Sequence, residues 1–275
     1  NWTFADGTTT SGTVTVTVTD GELVDSESFV ITVSSNPLLT SMTFVDQAMQ
    51  ACVLSIYDDT VRASDVTYVR CDTVSTLDDL TKFENLNSLV ATNVDDWSTL
   101  SSLNLQEYTT YGTPNIDDWG RLSSHSNLTS MTIYGVSYTS TEWDFFADFD
   151  LQYLNLDLSN FSDISKITHM TNLNSLLLSS TAVTDWSALS NLQLTFFSAS
   201  GSSFANISDI QHMTGLNTLT LESTSISDWS NLSALNLTQL IASNSNFDNL
   251  SHISHMDNLN YLYLDNSSVI DWLEL

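Results

Sequence analysis

Basic residues are almost missing from this sequence. Only 5 of its 275 residues are Lys or Arg, against 33 Asp and Glu, and the net charge is −28 at pH 7. A protein that binds nucleic acid uses Lys and Arg to displace counterions from phosphate groups, so we expect no nucleic-acid partner. Attraction to an anionic membrane surface is excluded by the same argument about sign. Charged residues make up only 14% of the chain, so its acidity comes from missing cations rather than from an excess of acids.

Long apolar runs and catalytic motifs are missing too. No apolar run approaches the roughly 18 residues that a membrane helix needs, and we expect no membrane insertion. The chain contains no G-x-S-x-G, no H-E-x-x-H and no Gly-rich phosphate loop, so we predict a protein that is not an enzyme and has no cofactor. Its 2 Cys are too few for a zinc site built on cysteine.

A repeat with a period of 43 residues runs through the second half of the chain. The residues that follow this period include Trp143, Trp186, Trp229 and Trp272, and also His169, His212 and His255. Each period contains two copies of the pattern L-x-x-L-x-L, such as Leu173-x-x-Leu176-x-Leu178, at steps of 21 or 22 residues. Looser copies precede them, and the ten copies begin at Val66, Leu86, Leu105, Leu128, Leu151, Leu173, Leu194, Leu216, Leu237 and Leu259.

This spacing resembles that of leucine-rich repeats. The I-x-D-[IW]-x-x-L segment that follows resembles the bacterial internalin-type subclass, over about residues 40–275. The resemblance implies an α/β solenoid, a right-handed coil with a parallel β-sheet on its concave face and short 3₁₀ or irregular convex turns. The pattern agrees with it, because the two apolar side chains of L-x-L point to one face of a strand and stacked coils bury that face. One departure is that hydroxyl side chains replace the turn Asn of the family, at Ser159, Thr181, Ser202, Thr224, Ser245 and Ser267.

An acidic residue recurs just before the convex apolar residue of most coils, for example Asp163, Asp185 and Asp228. We interpret these acids as caps that accept hydrogen bonds from free N–H groups of the following turn. A calcium ladder is the alternative, because hard cations take clustered oxygen ligands. The three periodic His residues lie two coils apart, about 10 Å by strand spacing, so we attribute them to the repeat and not to a shared metal.

The resemblance to internalins implies that residues 36–65 form a helical N-terminal cap and that residues 66–275 form the repeats. We expect four residues of the cap to share one helical face, namely Phe44, Ala48, Cys52 and Ile56. Cys52 lies in this cap and Cys71 in the first strand, which predicts a single disulfide between them in an extracellular setting. Two buried thiols are the alternative.

Residues 1–35 differ from the rest, because Thr and Val alternate strictly between Gly12 and Asp20. They resemble the C-terminal half of an Ig-like or PKD-like sandwich, so we expect a small antiparallel β module with three of about seven strands. The missing strands would then belong to a longer parent chain or to a neighbouring molecule. Asp20, Glu22 and Asp25 cluster in one loop. An ordinary acidic turn is the favoured interpretation of that cluster, and a Ca²⁺ site is the alternative.

The concave face is the default binding surface of a solenoid. Its outward residues are mainly Tyr, Ser, Thr and Asn, a mixture that supplies amphipathic contacts and adaptable hydrogen bonds, as in antibody paratopes. The predicted binding face consists of Tyr68, Tyr111, Tyr134, Tyr153, Phe196, Glu222, Tyr261 and Tyr263. We therefore predict an extracellular or cell-surface adhesion module that binds a protein or a glycan. The alternative is a structural subunit of an extracellular filament or giant adhesin, which binds copies of itself through the incomplete β module and the last repeat.

Overall fold

A computed structural model describes residues 10–19, 24–33, 36–116 and 118–270, the first two ranges by their backbone alone. The strands, in chain order, are β1 (Thr10–Thr19), β2 (Val24–Val33), β3 (Tyr68–Arg70), β4 (Thr73–Thr76), β5 (Ser88–Val90), β6 (Asn93–Asp96), β7 (Glu107–Tyr111), β8 (Ser130–Tyr134), β9 (Tyr153–Asn155), β10 (Ser175–Leu177), β11 (Phe196–Ser198), β12 (Thr218–Thr220), β13 (Gln239–Ile241) and β14 (Tyr261–Tyr263). The α-helices of the described residues are α1 (Gln47–Ile56) and α2 (Gly120–Ser123). The 3₁₀ helices are Leu39–Ser41, Ala63–Asp65, Asp78–Lys82, Ser98–Ser102, Glu142–Asp148, Ile164–Ile167, Ser187–Asn191, Ile207–Asp209, Trp229–Ala234 and Leu250–His252.

Ten of these strands form one parallel sheet in the order β14-β13-β12-β11-β10-β9-β8-β7-β5-β3. Neighbouring coils pair in a register that sets equivalent residues side by side, so that Leu176 of β10 lies between Leu154 and Phe197. The 3₁₀ helices follow the strands on the convex side. The fold predicted from the repeat, a leucine-rich-repeat solenoid, is therefore confirmed. A second parallel pair, β4 with β6, extends the first two coils and is not visible in the repeat pattern.

Strands β1 and β2 pair antiparallel, from Thr10 opposite Val33 to Thr19 opposite Val24. The strand expected at the N-terminus near Trp2 lies outside the described residues. Two strands do not establish an Ig-like or PKD-like sandwich, which needs about seven. Asp20 and Glu22 of the calcium alternative also lie outside the described residues. Asp25, of which only the backbone is described, lies in β2 opposite Val18 and not in the expected loop.

The core is a continuous column of apolar side chains inside the stacked coils. The two apolar residues of L-x-L are buried in most coils, for example Leu176 and Leu178, whereas Leu262 of β14 is partly buried. Just beyond each strand from β7 to β14 the chain turns through a residue with positive φ, and in successive coils these residues are Gly112, Gly135, Leu158, Ser180, Gly201, Ser223, Asn244 and Asn266. The next residue is Ser or Thr in every one of these coils except that of Gly135, where it is Val136. Thr181 Oγ1 donates to Leu178 O at 2.8 Å, as the replacement of Asn by Ser and Thr predicts.

The convex acids act as caps. Asp185 Oδ1 accepts hydrogen bonds from N and Oγ of Ser187 at 3.0 and 2.7 Å, and Asp228 Oδ1 does the same with Ser230 at 2.9 and 2.6 Å. These hydrogen bonds, the side-chain bond first, lower the pKa of both carboxyls. The interpretation of the acids as caps is confirmed for these coils, since their oxygens already satisfy the first N–H groups of the 3₁₀ turns.

The period of 43 residues reflects contacts between alternating coils. Three of the periodic Trp residues lie in the described part of the chain, and each packs edge-on against a Phe of the next coil. The ring centroids are 5.3 Å apart for Trp186 and Phe204 and 5.0 Å apart for Trp229 and Phe247, and Trp143 contacts Phe161 in the same way. The periodic His residues join coils as well. Nε2 of His212 lies 2.8 Å from Leu192 O, and His169 and His255 make the same contact with Phe149 O and Leu235 O. Two successive coils are therefore the smallest unit that repeats all of these contacts.

Helix α1 caps the first coil through two buried carboxylates. Asp46 is the N-cap of α1 through Ala48 N, and its other oxygen accepts from Ser75 N at 2.6 Å. Asp79, fully buried, accepts from the backbone N of Val45 and of Asp46. For both carboxyls burial favours the neutral form, and the hydrogen bonds outweigh it, so that the pKa is lowered.

The buried face of α1 differs from the expected one. Met49 and Val53 are fully buried, whereas Ala48 and Ile56 are exposed, and Phe44 precedes the helix. The prediction was wrong because Asp46 starts the helix at residue 47 and anchors it to β4, which sets its rotation. A disulfide joins Cys52 of α1 to Cys71 beyond β3, with Cα atoms 5.8 Å apart. Among the described residues, no helix is long and apolar enough to cross a membrane.

Candidate functional site

The concave face presents aromatic side chains along its whole length. Tyr68, Tyr111, Tyr261 and Tyr263 are between 36% and 58% exposed, which is high for large rings in a folded protein. Tyr134, Tyr153 and Phe196 are half-buried, and Glu222 is exposed. All eight residues of the predicted face are thus accessible to a ligand, although two other outward positions, Val90 and Ser198, are buried.

These eight residues do not form a single cluster. Tyr111 and Tyr134 meet edge to face with ring centroids 6.0 Å apart, and the guanidinium of Arg70 lies 5.2 Å from the centroid of Tyr111. Tyr261 and Tyr263 share β14 at the far end of the sheet. The face therefore offers a first aromatic group near β7 and β8 and a second on β14, with the single rings of Tyr153 and Phe196 and polar side chains between them.

Arg70 is the one basic residue of the ten-stranded sheet. The other basic residues of the chain are Arg62, Lys82, Arg121 and Lys166, and all of them lie outside its strands. Asp72 lies 3.8 Å from the Arg70 side chain and offsets its charge. At the edge of the face, burial raises the pKa of Asp157 despite hydrogen bonds from Ser179. The concave face thus carries little positive charge, and a strongly anionic ligand finds few partners on it.

A depression with a volume of 460 Å³ lies on the concave face at the N-terminal ends of β7 to β10. The side chains around it come from two adjacent rows of the sheet, Glu107, Ser130, Tyr153 and Ser175 in one and Thr129, Gln152 and Asn174 in the other. The registers of β7 with β8, β8 with β9 and β9 with β10 place the first row side by side. The volume falls within the range of about 300–1,000 Å³ that is usual for small-molecule sites.

Among the residues that line the depression, only Tyr153 belongs to the binding face predicted from the sequence. The other residues were missed because they are small or polar. Glu107, Ser130 and Ser175 begin their strands, and Thr129, Gln152 and Asn174 each come just before a strand. The position of each residue within its strand could have revealed them. Ser130, Tyr153 and Ser175 each stand just before the middle apolar residue of their strands, so aligning the coils would have brought them together.

On the convex side no metal site emerges. Within residues 36–116 and 118–270, no three His, Cys, Asp or Glu side chains are grouped closely enough to hold an ion. The periodic His residues contact backbone carbonyls, and the repeated acids cap turns. These His and acidic side chains are engaged in the fold itself.

Searches of family models and of curated proteins find no match. Solved structures, however, share the fold. The internalin InlF of Listeria monocytogenes is similar over 87% of this chain and 81% of its own, with a TM-score of 0.60 and 21% identity. Internalin C2 of the same species matches 84% of this chain and 98% of its own, at a TM-score of 0.51 and 17% identity. The Leptospira interrogans leucine-rich-repeat protein LIC12759 matches 76% of this chain and 63% of its own, at 0.53 and 16%.

These similarities support an internalin-like leucine-rich-repeat fold. None of them supports an Ig-like or PKD-like domain in residues 1–35. At identities of 21% or lower they show the fold alone, and the function has to be argued from the concave face.

Proposed function

We propose that this protein is an extracellular or cell-surface binding module, without enzyme activity, that holds a protein or glycan ligand on its concave face. The observation that carries the proposal is a contrast between the two surfaces. Convex polar side chains such as Asp185 and His212 are occupied by hydrogen bonds within the fold. Within the described residues, the concave side chains of Glu107, Gln152 and Asn174 make no hydrogen bond to the rest of the chain.

Free polar groups beside exposed Tyr rings form the kind of surface that recognises a ligand, because it supplies both contact area and hydrogen bonds. The disulfide between Cys52 and Cys71 favours an oxidising, extracellular setting. The internalin-like fold supports the same setting by analogy. Nucleic acid is disfavoured as a partner by the charge of −28.

A direct test is capture of purified chain on arrays of extracellular proteins and glycans, followed by affinity measurement on the best ligand. Tyr134→Ala and Tyr261→Ala remove one ring from each end of the face, and at least one of them should weaken binding about tenfold or more. Ser233→Ala, an exposed convex change in the 3₁₀ helix Trp229–Ala234, is the matched control and should leave binding unaltered. Tight binding that survives both Tyr changes but not the convex change would refute the concave face as the site.

A second candidate function is a subunit of an extracellular filament or giant adhesin. The observation that favours it is a pair of exposed rings on β14. Tyr261 and Tyr263 are 58% and 46% exposed. Exposed Tyr rings are common where two protein molecules meet. Electron microscopy of concentrated protein should then show filaments, and a monodisperse monomer at every concentration would exclude this candidate.

A further inference from the structure

The depression on the concave face is lined by uncharged polar groups, one ring and one carboxylate. Its side chains are those of Thr129, Ser130, Gln152, Asn174 and Ser175, with Tyr153 and Glu107. No Lys or Arg is among them. The nearest basic residue of the sheet, Arg70, is on β3, which is separated from β7 by β5.

The ring of Tyr153 is placed to receive a flat ligand. Its strand neighbours in the same row are Ser130 and Ser175, which have small side chains, and the ring is only half-buried. Within the described residues, Tyr153 contacts no other aromatic ring. A partly exposed ring beside hydroxyl groups offers an apolar platform with polar margins, which suits a molecule that is apolar on one face and polar at its rim.

The polar groups around the ring are free to bind a ligand. Within the described part of the chain, the side chains of Glu107, Gln152 and Asn174 make no hydrogen bond to the protein. By contrast, Asn246 uses both ends of its amide to join coils. A carboxylate accepts two hydrogen bonds side by side, and an amide both donates and accepts, so together they match adjacent hydroxyl groups.

Charge narrows the class of ligand further. A net charge of −28 repels anions over the whole molecule, and the depression has no cation to hold a sulfate, a phosphate or a carboxylate. A basic peptide would gain from the overall field, but only one carboxylate, that of Glu107, lines the depression. The lining therefore fits a neutral ligand that is rich in hydroxyl groups better than it fits an ion of either sign.

We propose that this depression binds one or two units of a neutral oligosaccharide. The C–H face of a sugar ring stacks on Tyr153, and its hydroxyl groups bond to Glu107, Gln152 and Asn174. The row from Glu107 to Tyr153 crosses two strand spacings, about 10 Å, which leaves room for a sugar at the ring and a neighbouring unit at the carboxylate. This inference rests on the proposed function, of which it specifies the ligand class and the position.

The test uses the whole chain and an array of neutral, sulfated and uronic-acid oligosaccharides, followed by calorimetric titration with the neutral oligosaccharide that binds best. Tyr153→Ala should raise its Kd about tenfold or more, and Glu107→Gln and Asn174→Ala should each raise it severalfold. Ser233→Ala, an exposed change on the convex side, should leave the Kd unaltered. Each variant must keep the midpoint of thermal unfolding of the parent.

The Kd should change little between about 0.01 and 1 M NaCl, because no ion pair contributes to binding.

Three outcomes would overturn the inference. Selective retention of sulfated or uronic-acid glycans would show an anion site instead. Retention of a Lys-rich peptide, with affinity that falls steeply with salt, would show a basic peptide as the occupant. Failure to retain any neutral glycan at millimolar concentration would exclude the sugar site. If a protein ligand still binds and is lost on Tyr134→Ala or Tyr261→Ala, the proposed function stands while this inference fails.

Discussion

At the scale of single residues, polar side chains on the convex rim hold neighbouring coils together. Nδ2 of Asn246 donates to Ile226 O at 2.8 Å, and its Oδ1 accepts from Ile226 N at 2.9 Å and from Trp229 Nε1 at 3.1 Å. Asn160 and Asn115 make equivalent bonds to Trp143 and Trp97. One side chain thus satisfies an indole N–H and two backbone groups of the preceding coil, which would otherwise lie unpaired.

We predict that Asn246→Ala lowers the free energy of unfolding by about 2–3 kcal/mol, because it leaves the N–H of the buried Trp229 ring and both backbone groups of Ile226 without partners. Thermal unfolding followed by Trp fluorescence measures the effect. Asn217→Ala is the control, since its exposed side chain makes no hydrogen bond within the described residues. Equal stability of the two variants would contradict the assigned role of Asn246.

The sequence alone does not reveal this contact. The Trp period is visible as letters, but the partner Asn lies 17 residues further on, in a chain where Asn is common at turns. Only the stacking of one coil on the next shows which Asn faces the indole. In the coil of Trp186 the partner is Ser203, whose Oγ takes the place of the amide.

At the scale of elements, the cap is joined to the first coil by carboxylates as well as by apolar contacts. The Asp79 carboxylate accepts hydrogen bonds from Val45 N at 2.9 Å and from the ammonium of Lys82 at 2.6 Å. The Asp46 carboxylate accepts hydrogen bonds from both N and Oγ of Ser75. The sequence places a helix here from its apolar spacing. It does not show that the helix is anchored by carboxylates from both sides of the junction, because an isolated Asp has no sequence neighbour that marks it as buried.

We expect the cap to loosen in acid. The pKa values of Asp46 and Asp79 are lowered in the folded state, so their contribution to stability is fully present above the unfolded value of about 3.9 and is lost as pH falls through the folded values. Hydrogen exchange at pH 7 and pH 3, corrected for intrinsic rates, should show α1 amides losing more protection than those of β10. In Asp79→Asn the α1 amides should already be less protected at pH 7. In the control Asp59→Asn, an exposed change, the α1 amides should be as protected as in the parent. If the α1 amides of the parent are as protected at pH 3 as at pH 7, the prediction is wrong.

At the scale of the whole molecule, the dominant feature is unbalanced negative charge. With 33 acids and 5 basic residues, the folded chain repels itself more than the expanded unfolded chain does. Several of the acids are used locally as caps, as Asp185 and Asp228 are, so the fold depends on some of the groups that repel one another. Salt screens this repulsion over a distance of about 10 Å at 0.1 M.

The midpoint of thermal unfolding should therefore rise between about 0.01 and 1 M NaCl, where the screening length shortens from roughly 30 to 3 Å. The triple variant Asp59→Asn, Asp95→Asn, Asp257→Asn removes exposed charges that cap no turn, and it should show a smaller rise. A midpoint that is independent of salt in the parent would refute self-repulsion as a term in its stability.

The sequence by itself determined the repeat, the parallel sheet and the convex turns, because the L-x-x-L-x-L spacing allows only one face of each strand to be buried. It also named the concave Tyr residues, since outward positions follow from the same alternation. Only the tertiary structure decided which of them meet, where the depression between β7 and β10 lies, and which polar groups remain free for a ligand. The physical reason is that the pattern along one coil fixes what is inside and outside, whereas a binding site is made of side chains 20 or more residues apart, placed together by the register between coils.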